Sequence, residues 1–186
     1  AYYCVGGFQV FAESLVKALQ KHNGEIKYKI RAQQINITDG QVTGVTIENG
    51  LYIKPPAALP ISDMRQTVFQ LAGKQHFTPR FLGRISKFST SLSIFVVYIA
   101  TDLNLSASDL GHESFCYNDF DHQHNYNKSK NAEVSWISIT IPTLVDKALA
   151  PENQHVIMLT TLLPYDIGKP WQQEKPIVTG RMLALT

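Results

Sequence analysis

A chain of 186 residues with 44% hydrophobic and 17% charged residues is long enough to bury one good core and too apolar to stay disordered. Its formal net charge of +2, with no block of like charge, argues against a dedicated nucleic-acid binder, which concentrates Lys and Arg on one face. Two cysteines, Cys4 and Cys116, are too few for a disulfide framework, and no apolar run approaches the roughly 18 residues of a membrane-spanning helix.

The first pattern follows Gly6-Gly7. Phe8, Phe11, Ala12, Leu15, Val16, Ala18 and Leu19 make one apolar stripe with Glu13, Lys17 and Lys21 opposite, which predicts a helix. Asn23-Gly24 ends it, with glycine expected in the left-handed position after the last turn. Ile26, Tyr28 and Ile30 then alternate with Lys27, Lys29 and Arg31, predicting a strand that continues through Gln33–Thr38. Asp39-Gly40 and Asn49-Gly50 are hairpin dipeptides, since both central residues of a type I′ turn need positive φ. They predict a three-stranded meander with Gln41–Glu48 and Leu51–Ile53 as its later strands.

Pro55, Pro56 and Pro60 exclude a central strand over Lys54–Ile61. Ser62 or Asp63 can cap a short helix over Met64–Ala72 that Gly73 ends, and the basic stretch Lys74–Lys87 reads as a loop. Phe88–Ala100, His112–Tyr117, Val134–Ile141 and His155–Leu163 predict four further strands. Between them lie the polar loop Asn118–Asn131 and the proline-bounded Pro142–Asn153. The tail from Tyr165 holds Trp171 and Pro176 and begins a helix. The sum is an α+β fold with a mixed, largely antiparallel sheet and two or three helices, as one domain over residues 1–186. The first residues carry no charged n-region or apolar h-region, so a secretory leader is not expected and the location expected is cytoplasmic or peripheral to a membrane.

Candidate chemistry is sparse. His112, Glu113, Asp119, Asp121, His122 and His124 are the densest polar cluster, and a metal-dependent hydrolase using His112, His122 and His124 is one reading of it. A polar surface loop is the favoured one, and no metal ligand is assigned. There is no Gly-x-Ser-x-Gly elbow, no phosphate-binding loop and no Gly-x-Gly-x-x-Gly fingerprint. Lys74, Arg80, Arg84 and Lys87 could touch a phosphate or an anionic membrane surface, although such spacing also suits a solvated loop. Gly6-Gly7 before a helix either lets backbone approach a planar ligand or makes a tight entry turn.

Read in order, the segments resemble the phytoene desaturase-related FAD oxidoreductases. Val5-Gly6-Gly7-Phe8, Leu15–Leu19 and Asn23-Gly24-Glu25 are similar to the family's entry to the substrate domain, and Ile35–Val45 to its strand, turn and Gly-Val pattern. Ser91–Phe95 with Tyr98–Leu103, Gly111–Phe115, Ile137–Thr143 and Leu159–Tyr165 resemble its downstream strands. The resemblance implies a substrate-binding domain of the kind found in FAD-linked amine-oxidase-like enzymes. It implies an apolar isoprenoid or carotenoid substrate, and desaturation, isomerisation or saturation of its C–C double bonds. It places Gly6 and Gly7 near the flavin ring and Ala32, with Asp63 further on, at the flavin side. No protein nucleophile is then required, because the flavin itself accepts the hydride. On this reading the Rossmann-like FAD domain lies outside the chain, and the chain alone is not catalytically competent. The alternative is a non-enzymatic module that holds an apolar ligand or a protein partner.

Overall fold

The computed structural model describes residues 3–105 and 111–186. Length predicts one domain; the chain folds as two compact units, residues 1–21 with 91–186, and residues 22–90. Each has its own antiparallel sheet, so the α+β class holds, with two sheets in place of one mixed sheet.

The unit of residues 22–90 is the expected meander: β1 (Ala32–Thr38), β2 (Gln41–Ile47) and β3 (Tyr52–Ile53), in the order β1-β2-β3. Asp39 and Gly40 both take positive φ, 51° and 74°, as a type I′ turn requires. The second turn differs. Ile47 N donates to Leu51 O at 3.0 Å and Gly50 N to Ile47 O at 2.8 Å, so Glu48-Asn49-Gly50 is a three-residue loop with only Gly50 left-handed (φ 78°). Gly44 has a packing role, because the Tyr52 ring lies where its Cβ would be. The alternating stretch before β1 is not a strand. Lys29 turns left-handed (φ 56°), and the register begins only at Ala32, paired with Ile47.

The proline-rich Lys54–Ile61 forms no regular element, as expected. Asp63 Oδ1 accepts from Gln66 N at 2.9 Å and starts α2 (Met64–Gln66). The helix widens into a π-turn over Thr67–Ala72 and stops at Gly73, where φ is 88°. Val68 and Ala72 from this turn are buried, as are Ile35, Ile47 and Ile85 in the same unit. The expected basic loop contains a helix, α3 (Pro79–Ser86). Thr78 caps it by accepting from Phe81 N, and Pro79 at the first helical position costs no hydrogen bond.

The other unit opens with α1 (Phe8–Lys21), after which Asn23 (φ 60°), rather than Gly24, takes the left-handed conformation. Its sheet has the order β4-β7-β6-β5, from β4 (Ser93–Thr101), β5 (Glu113–Tyr117), β6 (Trp136–Thr140) and β7 (His155–Leu163). β4 and β7 pair over nine residues, Ser93↔Leu163 to Thr101↔His155. Side chains alternate across a strand. One face therefore carries Phe95, Val97, Ile99, Ile137, Ile139, Leu159 and Leu163, which join Val178 and Met182 of α5 (Trp171–Leu183) in the core. Val178 and Met182 are one helical turn apart, so α5 covers the sheet despite Pro176 within it. The loop expected over Asn118–Asn131 holds α4 (His122–Lys130), capped by Asp121, whose Oδ1 accepts from His124 N at 2.9 Å. With these, the described residues contain five α-helical segments rather than two or three.

Candidate functional site

Among the described residues, the most distinctive surface is the face of the four-stranded sheet turned away from α5. A sheet with one solvated face normally turns polar side chains outward. Here the registers Ile94↔Leu162, Val96↔Thr160, Tyr98↔Met158 and Ala100↔Val156 put seven apolar or aromatic side chains on that face from β4 and β7 alone. Phe115, Tyr117 and Trp136 extend it across β5 and β6, stacked nearly parallel, with Phe115–Tyr117 centroids 6.4 Å apart and Tyr117–Trp136 centroids 6.1 Å apart. Ile94, Tyr98 and Phe115 are 67%, 71% and 55% exposed. Polar groups on this face gather toward β5 and β6, where Ser138 Oγ donates to Glu113 Oε1 at 3.4 Å. The lack of apolar–polar alternation in the sequence carried the signal for this face: Ser91–Ala100 and His155–Leu163 are apolar at odd and even positions alike.

Gly6 and Gly7 belong to the same unit as this sheet. Both are left-handed, φ 86° and 80°, which only glycine adopts without strain. A Cβ on Gly6 would sit 2.6 Å from Val10 Cγ2, while one on Gly7 would meet only Leu149 Cδ2 at 3.7 Å. Gly7 N donates to Cys4 O at 2.9 Å, and Gly6 N donates to Asp146 Oδ2 at 2.6 Å. Asp146 is buried, and its other oxygen accepts from Ala148 N at 3.1 Å. Nearby, Tyr3 meets the His112 ring edge-on at 5.3 Å. Loss of water around the Tyr3 phenol, and secondarily the Asp146 charge, raise its pKa above the ordinary 10.0. Asp146 escaped sequence reasoning because no local pattern marks a partner 140 residues away.

Ala32 lies in the other unit. It lines a groove of about 430 Å³ with Ile35, Val45, Leu59, Ser62 and Leu71. Asp63 is engaged in capping α2 and does not line that groove. Of these two positions only Ala32 faces the hollow.

The polar cluster resolves into separate contacts. His112 Nδ1 lies 3.3 Å from Ile141 O, His122 packs edge-on against Tyr117, and His124 sits 3.9 Å from Asp119. Placed on α4 two residues apart, His122 and His124 point to different sides, and among the described residues no three His, Cys, Asp or Glu converge. A polar hollow of about 570 Å³ involves Asp102, Lys147, Glu152 and His155. There His155 Nδ1 is paired with the Thr143 hydroxyl at 2.9 Å. No helix among the described residues is long and apolar enough to cross a membrane.

The α+β fold, with a glycine pair ahead of α1 and an apolar sheet face, is shared by solved structures. A Pyrococcus furiosus protein matches with a TM-score of 0.68 at 18% identity, covering 97% of this chain and 40% of that one. An oxidoreductase from Methanosarcina mazei matches with a TM-score of 0.71 at 14% identity, covering 97% and 39%. No family model matches the chain. Among curated proteins, the chloroplastic prolycopene isomerase of Daucus carota is 29% identical over 189 residues, covering 98% of this chain and 29% of that protein. The lycopene-forming phytoene desaturase of Pseudescherichia vulneris is 24% identical, covering 95% and 37%. Pyridine nucleotide-disulfide oxidoreductase domain-containing protein 2 of Rattus norvegicus is 22% identical, covering 93% and 33%. The chain is therefore related to the phytoene desaturase-related oxidoreductases, and it spans about a third of the length of the curated relatives it matches.

Proposed function

We propose that this chain is the substrate-side portion of an FAD-dependent oxidoreductase acting on C–C double bonds of a carotenoid or another long isoprenoid, by desaturation, isomerisation or saturation. The observation that carries the reading is the apolar open face of the four-stranded sheet. Burying apolar area contributes roughly 25 cal/mol per Å², so a long hydrocarbon laid across Ile94, Tyr98, Met158 and Leu162 gains affinity without a single polar contact. The names of the curated relatives, an isomerase and a desaturase of carotenoid compounds, support that substrate class.

Two separate features, one in each unit, support a flavin-binding parent protein. In the first unit Gly7 would leave room for the ring end, since an added Cβ there would meet only Leu149 Cδ2 at 3.7 Å, whereas the space at Gly6 is taken by Val10. The groove at Ala32 suits a flat heterocycle, with apolar walls from Ile35, Val45 and Leu71 and polar edges from Ser62 and Gln66. Flavin, when bound, supplies the hydride or electron acceptance. This chain's own part is to bind and orient the hydrocarbon and to keep water away from it.

The stripe of α1 supports a larger assembly. Phe8, Phe11, Leu15 and Leu19 all remain exposed, and no residue of α1 is buried. Contiguous apolar surface of this kind marks an interaction site. The reading frame that holds this chain tests the proposal: it should encode a βαβ unit with Gly-x-Gly-x-x-Gly upstream of Ala1. A frame that opens near Ala1 would favour a free-standing binding module for an apolar ligand or partner.

A further inference from the structure

We propose that α3 docks this chain on an anionic lipid surface. Arg80, Arg84 and Lys87 follow one another at i, i+4 and i+7, so they share one face at the end of which the helix stops. Ile85, 1% exposed, and half-buried Leu82 take the opposite face and hold the helix to its own unit. The cationic face is thus turned outward by packing rather than by chance.

Two further features select a membrane over water. From Lys74 to Phe88 there is no Asp or Glu, and among the described residues no carboxylate lies within salt-bridge distance of Lys74, Arg80, Arg84 or Lys87. Phe81 and Phe88 flank the stripe and are 38% and 50% exposed, with Phe81 stacked on Phe77 at 5.3 Å. Cations with aromatic rings beside them are what the headgroup layer accommodates, the rings at the acyl boundary and the charges among the phosphates. An extended polyanion would call for a longer cationic track than two side chains on an eight-residue helix and a third at its C-cap. The inference rests on α3 alone and stands or falls separately from the reading of the sheet face.

The test is flotation of the 186-residue chain with vesicles of phosphatidylcholine alone and of phosphatidylcholine with one-third phosphatidylserine. Binding should require phosphatidylserine and weaken as salt is raised. The variant Arg80→Gln/Arg84→Gln/Lys87→Gln should bind on the order of 100-fold more weakly, with an unchanged circular-dichroism spectrum. Phe81→Ala/Phe88→Ala should weaken binding severalfold. Equal binding to both vesicle types, or full binding by the triple variant, would overturn the proposal. So would tighter binding to a short DNA duplex at the same salt, or indifference to loss of the two phenylalanines, since either would make the surface a general polyanion site.

Discussion

The Gly6 amide donates a 2.6 Å hydrogen bond to Asp146 Oδ2, joining positions 140 residues apart within one unit. This carboxylate holds the glycine pair and the turn Lys147–Leu149 together, since Oδ1 accepts from Ala148 N. Asp146→Asn keeps the shape but gives one of the two amides a donor to face in place of an acceptor. Hydrogen bonds to a charged group contribute about 1.5–3 kcal/mol, so a loss of roughly 2 kcal/mol is expected in urea unfolding. An unchanged midpoint would mean that the contact carries no stability.

The two glycines should respond unequally. Either alanine must enter the left-handed region, at a cost of about 1–2 kcal/mol. At Gly6 the new methyl also meets Val10 Cγ2, which Gly7 is spared. Gly6→Ala should therefore be the more destabilising, and Val10→Ala in that background should recover the difference. Thermal melts of the three variants measure it.

The two faces of the four-stranded sheet should separate cleanly by mutation. Ile137 is fully buried in the core, so Ile137→Ala should cost about 2–5 kcal/mol. Ile94, two-thirds exposed on the open face, should tolerate alanine within about 0.5 kcal/mol. Chemical denaturation of both variants tests which face is structural and which is free for a ligand.

These contrasts also show what was legible in the residues. The meander could be read because Asp39-Gly40 needs two positive φ angles, and β7 because its apolar run is bounded by turn residues. Ile26–Arg31 alternates as a strand should, yet alternation without a partner does not pair, and Lys29 breaks it. α3 was signalled by Thr78-Pro79, a cap followed by the first helical proline, and its charges hid that signal. α4 has no apolar stripe at all: it buries Asn125 and Ser129, so hydrophobic periodicity could not reveal it. Of the site, the glycine pair was visible as sequence, and so were strands apolar at odd and even positions alike, whereas Asp146 depends on tertiary placement.

Retinol, an isoprenoid whose fluorescence rises in apolar surroundings, tests the proposed function most directly. Titrated against the 186-residue chain, it should brighten and saturate, and Ile94→Asp/Tyr98→Asp should abolish the response while folding is kept. Phe11→Asp/Leu15→Asp on α1, also more than half exposed and apolar, should leave it intact. If the sheet variant binds as the parent does, or if only the α1 variant fails, the open face of the sheet is not the substrate surface.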